Sequence, residues 1–238
     1  MLATLATGGV AATLAAGGYA YAAMWPTSQI FGRAIIGGTD VGEFALTYDD
    51  GPNDPYTQQL LDVLARHDVR ATFFLIGRFV RQRPEIVRAI RAAGHLVGNH
   101  TMSHPVLLFQ SPRRVREELA SCNAAIEDAL GETVRYFRPP YGARRPDVLR
   151  AARDLGMTPV LWNAMGYDWK PTTAEQVLGN LQKGIQQNRR LGVGSNLLMH
   201  DGGQAGIGQD RGHSVAATAQ LLKSTHESVR YVTVDAWG

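Results

Sequence analysis

From Glu43 onward, short apolar runs alternate with longer stretches in which apolar residues recur at helical spacing, a pattern that predicts a mostly parallel sheet wrapped by helices. Phe44–Tyr48 is the first predicted strand. Tyr56–His67 places Leu60, Leu61 and Leu64 on one helical face, and Ala71–Ile76 follows as a strand closed by Gly77. Pro84 opens a helix whose body, Glu85–Ala93, carries Ile86, Ile90 and Ala93 at helical spacing. It stops at Gly94 and feeds a strand over His95–Gly98. Ser111 and Pro112 have the cap and first-turn chemistry of the longest helix, which runs to Leu130 before Gly131. Further strands are predicted at Val134–Phe137, Thr158–Trp162, Asn196–Met199 and Val229–Val234, with helices at Pro146–Leu155, Thr173–Asn188 and Ser214–His226.

About seven strand-helix units fit an α/β fold of the distorted (β/α) barrel type, slightly short of the full eight. An open doubly wound sheet is the competing architecture. The polar residues decide for the barrel, because Asp49, Asp50, His100, Arg138, Asp168 and His200 all fall at or just after predicted strand ends. Barrel enzymes gather their sites from those ends, whereas an open sheet binds at one switch point.

Adjacent carboxylates at Asp49 and Asp50 and the H-x-x-x-H pair His100 and His104 are the candidate chemistry. If the fold brings them together, one carboxylate and two imidazoles make a three-ligand site for a zinc-type metal with a position left for water, and the second carboxylate is free as a base. That is the layout of a hydrolase. Each piece alone has a plainer reading: Asp-Asp before Gly51-Pro52 as a turn, the histidines as a solvated pair, Arg138-Pro139-Pro140-Tyr141 as an extended connector.

Together the pieces are more specific. Thr47-Tyr48-Asp49-Asp50-Gly51-Pro52, His100-Thr101-Met102-Ser103-His104, Arg138-Pro139-Pro140-Tyr141, Asp168-Trp169 and Leu198-Met199-His200 resemble, in order and separation, the five motifs of the polysaccharide deacetylases, the NodB-type domain of carbohydrate esterase family 4. The resemblance covers Glu43 to Trp237. It implies that Asp50, His100 and His104 bind a metal, Zn²⁺ first and Co²⁺ as an alternative, and that Asp49 is the general base, held by Arg138. It further implies that Tyr141 offers a backbone N–H to the developing oxyanion, that His200, oriented by Asp168, protonates the leaving amine, and that Trp169 and Leu198 enclose the acetyl methyl. The expected reaction is removal of acetyl from N-acetylglucosamine units of a chitooligosaccharide or peptidoglycan. The loop from Asp201-Gly202-Gly203 to Asp210-Arg211 is similar to that of deacetylases of both kinds. Hydrolysis of O-acetyl groups on xylan is the alternative chemistry on the same site. A silent carbohydrate-binding protein is the alternative of another class, but such a chain would usually have lost one of Asp49, His200 or the three ligands, and all are present.

Two positions depart from the family pattern. Tyr48 stands where Phe is usual, which a half-buried strand tolerates if the hydroxyl finds a partner. Met165 stands where many members carry the first aspartate of D-x-x-D-W, which puts substrate preference in question. His67, His95, His213 and His226 are expected to be structural, with His213 the least secure because it follows Asp210-Arg211.

Composition adds limits rather than a function. The chain has 238 residues, 45% of them hydrophobic, and a net charge of +3, enough for a sizeable core and too evenly spread for nucleic acid. Arg113, Arg114 and Arg116 form the densest basic group and read as a solvated helix face. The single cysteine, Cys122, excludes an intrachain disulfide and is expected to pack. Residues 43–238 are read as the catalytic domain and 1–42 as an apolar segment plus linker. Leu2–Met24 carries no charge and reads as a secretory signal, with Ala22 suited to cleavage, or as an uncleaved membrane anchor. Against export, no Lys or Arg precedes Arg33 and Gly8-Gly9 and Gly17-Gly18 weaken a helix, so a helix belonging to the domain and a mis-set start codon are the other readings. The expected location is secreted, periplasmic or anchored in the cell envelope, with membrane contact only through that segment.

Overall fold

The structure, a computed structural model, describes residues 16–225 and 228–238. Most of the apolar Leu2–Met24 segment, and His226 at the expected end of the last helix, lie outside the described residues. Residues 16–24 are helical (α1), and among the described residues no helix is long and apolar enough to cross a membrane.

The strands are β1 (Glu43–Gly51), β2 (Thr72–Leu75), β3 (Leu96–Asn99), β4 (Tyr136–Phe137), β5 (Thr158–Pro159), β6 (Ala164–Met165), β7 (Ser195–His200) and β8 (Arg230–Tyr231). All pair in parallel, in the order β5-β4-β3-β2-β1-β7-β6, with β8 added beside the start of β1. The helices between them are α2 (Tyr56–Arg66), α3 (Gly77–Gln82), α4 (Pro84–Ala92), α5 (Pro112–Leu130), α6 (Pro146–Asp154), α7 (Ala174–Leu191) and α8 (Gly212–Thr225). The sheet curls into a distorted barrel that stays open, since β5 and β6 end the ladder and do not pair with each other. The chain ahead of β1 runs along this seam: Ile35 bridges to Val160, and the Gly38 carbonyl accepts from Gly194 N–H at 2.8 Å.

The expected α/β barrel is therefore present, with local corrections. Gly77, expected to close a strand, is the first residue of the short helix α3. The single strand expected over Thr158–Trp162 is only Thr158–Pro159, because its neighbour β4 ends at Phe137, whose carbonyl takes the last bond from Val160 N–H at 2.8 Å, and β6 follows as a separate strand. The helix α5 matches its expectation residue for residue. Ser111 caps it by accepting from Arg114 N–H at 3.2 Å, Gly131 ends it at φ +70°, and Val115, Leu119, Cys122 and Ile126 are its buried face. Arg113 and Arg114 pair with Glu117 and Glu118 one turn on, and Arg116 reaches Asp154, so the basic cluster is a helix surface.

β1 positions the chemistry. Its alternation sends Phe44, Leu46 and Tyr48 into the large apolar cluster beneath the helices, while Ala45, Thr47 and Asp49 turn toward the barrel interior. Tyr48 is fully buried, and its hydroxyl does find a partner, Thr218 of α8 at 2.9 Å. Strict alternation would next aim Asp50 back under the helices. Instead Asp50 has φ +73° and the register with β2 slips between Asp49 and Gly51. This bulge breaks the period of two, so both carboxylates of the pair reach the same cleft. Gly51 is required there: a Cβ on it would collide with the Asp201 carboxylate.

Candidate active site

At the C-terminal ends of the strands, a cleft of about 550 Å³ is lined by Asp49 and Asp50 from β1, His100 and His104 after β3, Tyr141 after β4 and His200 at the end of β7. His100 Nε2 lies 3.5 Å and His104 Nε2 3.1 Å from Asp50 Oδ1, and the three donor atoms fall within 4.8 Å of one another. The other ring nitrogens face outward. His100 Nδ1 is 2.8 Å from the Arg138 carbonyl and His104 Nδ1 2.8 Å from Gln204 Oε1, so each ring carries its proton on Nδ1 and turns an Nε2 lone pair inward. Burial, opposed by Asp49, pulls the His100 pKa down to about 4, which keeps that ring neutral and able to ligate. Asp50 is held ionised below the ordinary carboxylate range: burial works against this and is outweighed by the neighbouring imidazoles, His104 first and then His200 and His100. Its Oδ1 is buried with no hydrogen bond of proper geometry among the described residues. An acceptor left open between two inward-facing lone pairs is costly without a cation, and the donor set suits a divalent metal.

Asp49 sits beside this triad, with Oδ2 3.7 Å from His100 Nε2. Arg138 anchors its other oxygen: Nη1 donates to Asp49 Oδ1 at 2.8 Å and to Thr47 Oγ1 at 2.9 Å, while Nη2 donates to the Leu161 carbonyl at 3.0 Å. The guanidinium is fully buried, stacked 4.2 Å over the Phe74 ring inside the barrel. Arg138→Met should therefore cost about 3–5 kcal/mol of stability, since Asp49 would be left as an uncompensated buried charge. Urea denaturation checks this, and a loss below about 1 kcal/mol contradicts the pairing.

On the opposite side His200 is held by Asp168, which accepts from the ring Nδ1 at 2.8 Å, from the His200 backbone N–H at 2.7 Å and from the Ser214 hydroxyl at 2.7 Å. Burial disfavours the imidazolium, but Asp168 overrides it, aided by Asp50 and Asp49, and the His200 pKa rises to about 9. His213, expected to be structural, supports this arm by donating from Nε2 to the Asp168 carbonyl at 2.6 Å. His95 is structural as expected, buried and accepting from Ala71 N–H at 3.1 Å.

Apolar side chains line the cleft beside these groups. The Trp169 ring lies edge-on 5.5 Å from the His200 ring, Leu198 is buried beneath, and Met165 lines the same cleft. Tyr141 has φ +60°, and its ring is 4.8 Å from His104. Asp50, Thr101, His104 and Tyr141 are all non-glycine residues at positive φ, a concentration of backbone strain that marks functional sites.

Comparison with known proteins agrees with this geometry. The profile of the polysaccharide deacetylase family matches residues 37–160. The chain belongs to the polysaccharide deacetylase family. It is 36% identical over 196 residues to a chitooligosaccharide deacetylase of Sinorhizobium fredii, covering 80% of this chain and 88% of that protein. It is 33% identical over 193 residues to a peptidoglycan-N-acetylglucosamine deacetylase of Bacillus cereus, covering 80% and 85%. A solved peptidoglycan N-acetylglucosamine deacetylase superposes with a TM-score of 0.77 at 30% identity, over 85% of this chain and 91% of the other.

In this polysaccharide deacetylase some cleft residues carry no motif signal. Gln204 joins His104 to the Tyr141 hydroxyl, and its backbone carbonyl accepts from Arg78. Its only hint in the sequence is its place four residues after His200 in a Gly-rich loop. Asp201 is buried against Thr57 Oγ1 at 2.5 Å, and burial raises its pKa to about 7. Met24, Trp25 and Pro26 line the cleft from the segment read as outside the catalytic domain.

Proposed function

We propose that the chain is a metal-dependent N-deacetylase that releases acetate from N-acetylglucosamine units of a chitooligosaccharide or of peptidoglycan. The observation that carries this reading is the convergence of Asp50, His100 and His104 around an open buried acceptor, with Asp49 and His200 flanking them in one cleft. Those three side chains would hold a divalent cation, Zn²⁺ by donor type, with Co²⁺ an acceptable substitute. When bound, the cation supplies Lewis-acid polarisation of the acetyl carbonyl and makes water nucleophilic near neutral pH.

The protein groups do the rest. Asp49 takes the proton of the attacking water, with Arg138 fixing Oδ1 so that Oδ2 stays directed into the cleft. Tyr141 offers its backbone N–H to the carbonyl oxygen as negative charge builds. His200, kept protonated by Asp168, gives its proton to the nitrogen as the C–N bond breaks, and the products are acetate and a free amine. Trp169 and Leu198 accommodate the methyl group. Similarity to relatives of both substrate classes supports both glycans as candidates. We read Leu2–Met24 as an export signal or envelope anchor that delivers the enzyme to such glycans and is retained from Tyr21 on, where Ala22 and Ala23 are buried and Tyr21 stacks on Trp25; N-terminal sequencing of protein from the envelope and extracellular fractions checks this.

Acetate release from acetylated chitooligosaccharides and from peptidoglycan, with and without a chelator, tests the proposal. Chelation should lower the rate at least about 100-fold, and added Zn²⁺ or Co²⁺ should restore it. Unchanged turnover by protein verified as metal-free rules out the metal. Acetate from acetylated xylan and from neither aminosugar glycan assigns ester hydrolysis instead.

A further inference from the structure

The chain ahead of the barrel contributes a wall of the cleft, and one buried side chain holds it there. Arg144 is 1% exposed. Its Nη2 donates to the carbonyls of Trp25 and Ser28, each at 2.7 Å, and its Nη1 to Gly142 at 2.9 Å and Ala23 at 3.5 Å. Its backbone N–H also donates to the Ala23 carbonyl at 3.0 Å. No carboxylate pairs with it among the described residues, so a buried guanidinium is satisfied by main-chain oxygens alone. Gly142 and Arg144 continue the loop that carries Tyr141, so the path of residues 23–28 is tied to the loop that builds the site.

This clamp fixes the backbone and leaves the side chains of Met24 and Trp25 outside, of which Trp25 is the larger and the more exposed. Ala22, Ala23 and Ser28 are buried, whereas Trp25 is 57% exposed and lines the same cleft as Asp49, Asp50 and His200. Its ring lies nearly parallel to that of Tyr21, 6.1 Å away at 20°, which limits its rotation. Tyr141 and Trp169, also exposed, belong to the same cleft, so its polar floor carries aromatic faces on its walls. Pyranose rings present an apolar C–H face and hydroxyl edges, and a rigid aromatic face beside polar groups matches that chemistry. A lipid interface would also accept an exposed Trp and Tyr, but it would not require them to open into the catalytic cleft.

We propose that Trp25, positioned by Arg144, is a stacking platform for a sugar unit adjoining the one that is deacetylated, so that the segment before the barrel sets a preference for longer glycans. The inference rests on the N-deacetylase reading above. Kinetics of the full chain and of Trp25→Ala, Trp25→Gln and Trp25→Phe on N-acetylated chitooligosaccharides from dimer to hexamer test it, together with calorimetric binding of the hexamer. Trp25→Ala and Trp25→Gln should raise KM for the hexamer about tenfold, with a penalty that shrinks as the oligomer shortens and little change in kcat, and Phe should recover most of it. Because Trp25 is exposed, unfolding is not the expected cause, and matching thermal melts verify that. KM values that stay with the parent at every length overturn the proposal, as does a loss confined to sedimentation with anionic phospholipid vesicles. If the parent itself releases no acetate, the activity reading fails separately. Calorimetry then decides: weakened hexamer binding by Trp25→Ala upholds the platform, and unchanged binding removes it.

Discussion

Asp49→Asn should lower kcat by roughly 10²–10⁴-fold, the usual contribution of a positioned general base, while metal content and glycan binding stay near those of the parent. Asn is the informative replacement because its carbonyl oxygen can still accept from Arg138 Nη1, which lies 2.8 Å from Asp49 Oδ1. Ala would leave that fully buried guanidinium without its anion, and a folding defect would then imitate a catalytic one. Elemental analysis for bound metal and calorimetry with an oligosaccharide separate the two effects. A variant that loses kcat but keeps both places Asp49 in the chemical step. One that turns over at the parent rate removes it as the base, whatever its distance from the triad.

The same residue shows where sequence reading reaches its limit. Apolar runs and helix caps were enough to place most strands and helices, though not α3 or β6, and to put Asp49, Asp50, His100, Arg138, Asp168 and His200 at strand ends, and Asp50, His100 and His104 do converge. Why two adjacent residues of a strand face one cleft was not legible, since period-two alternation sends neighbours to opposite sides. The answer is the positive φ at Asp50 and the slipped register, which depend on β2 and on Asp201 packed against Gly51. Gln204 was invisible for a related reason: a glutamine in a loop has meaning only once His104 and Tyr141 are brought to it from distant parts of the chain. Residues 23–28 were grouped with the apolar N-terminal stretch on composition. Their contact with the cleft depends on Arg144, more than a hundred residues away, and hydropathy carries no record of that.

Asp168→Asn should reduce kcat about 10³–10⁴-fold and move the alkaline limb of activity to lower pH, by analogy with other His-Asp pairs in which the carboxylate fixes and stabilises an imidazolium. Asp168 accepts three hydrogen bonds on its two oxygens, two of them on Oδ2 from the His200 backbone N–H and the Ser214 hydroxyl. An amide replaces one acceptor by a donor, so in either orientation an NH₂ group meets a donor that the carboxylate satisfied. The sign of the pH effect follows from the raised pKa of His200, about 9. A general acid with that pKa is protonated through neutral pH and loses its proton as pH rises through about 9; a cation at Asp50 opposes the carboxylates that help raise it, so the limb of the metal-loaded parent lies at or below that value. The Asp168 interaction likewise stabilises the fold fully below the free histidine pKa of about 6.5 and fades as pH rises through the folded value. In Asp168→Asn the limb should fall toward about 6.5 or lower, where burial, now unopposed by the partner carboxylate, disfavours the charged ring. The pH profile of kcat distinguishes this role from a structural one: a variant that is slower at every pH, with its alkaline limb unmoved, would show that Asp168 merely packs the loop and that the proton reaches the amine by another route.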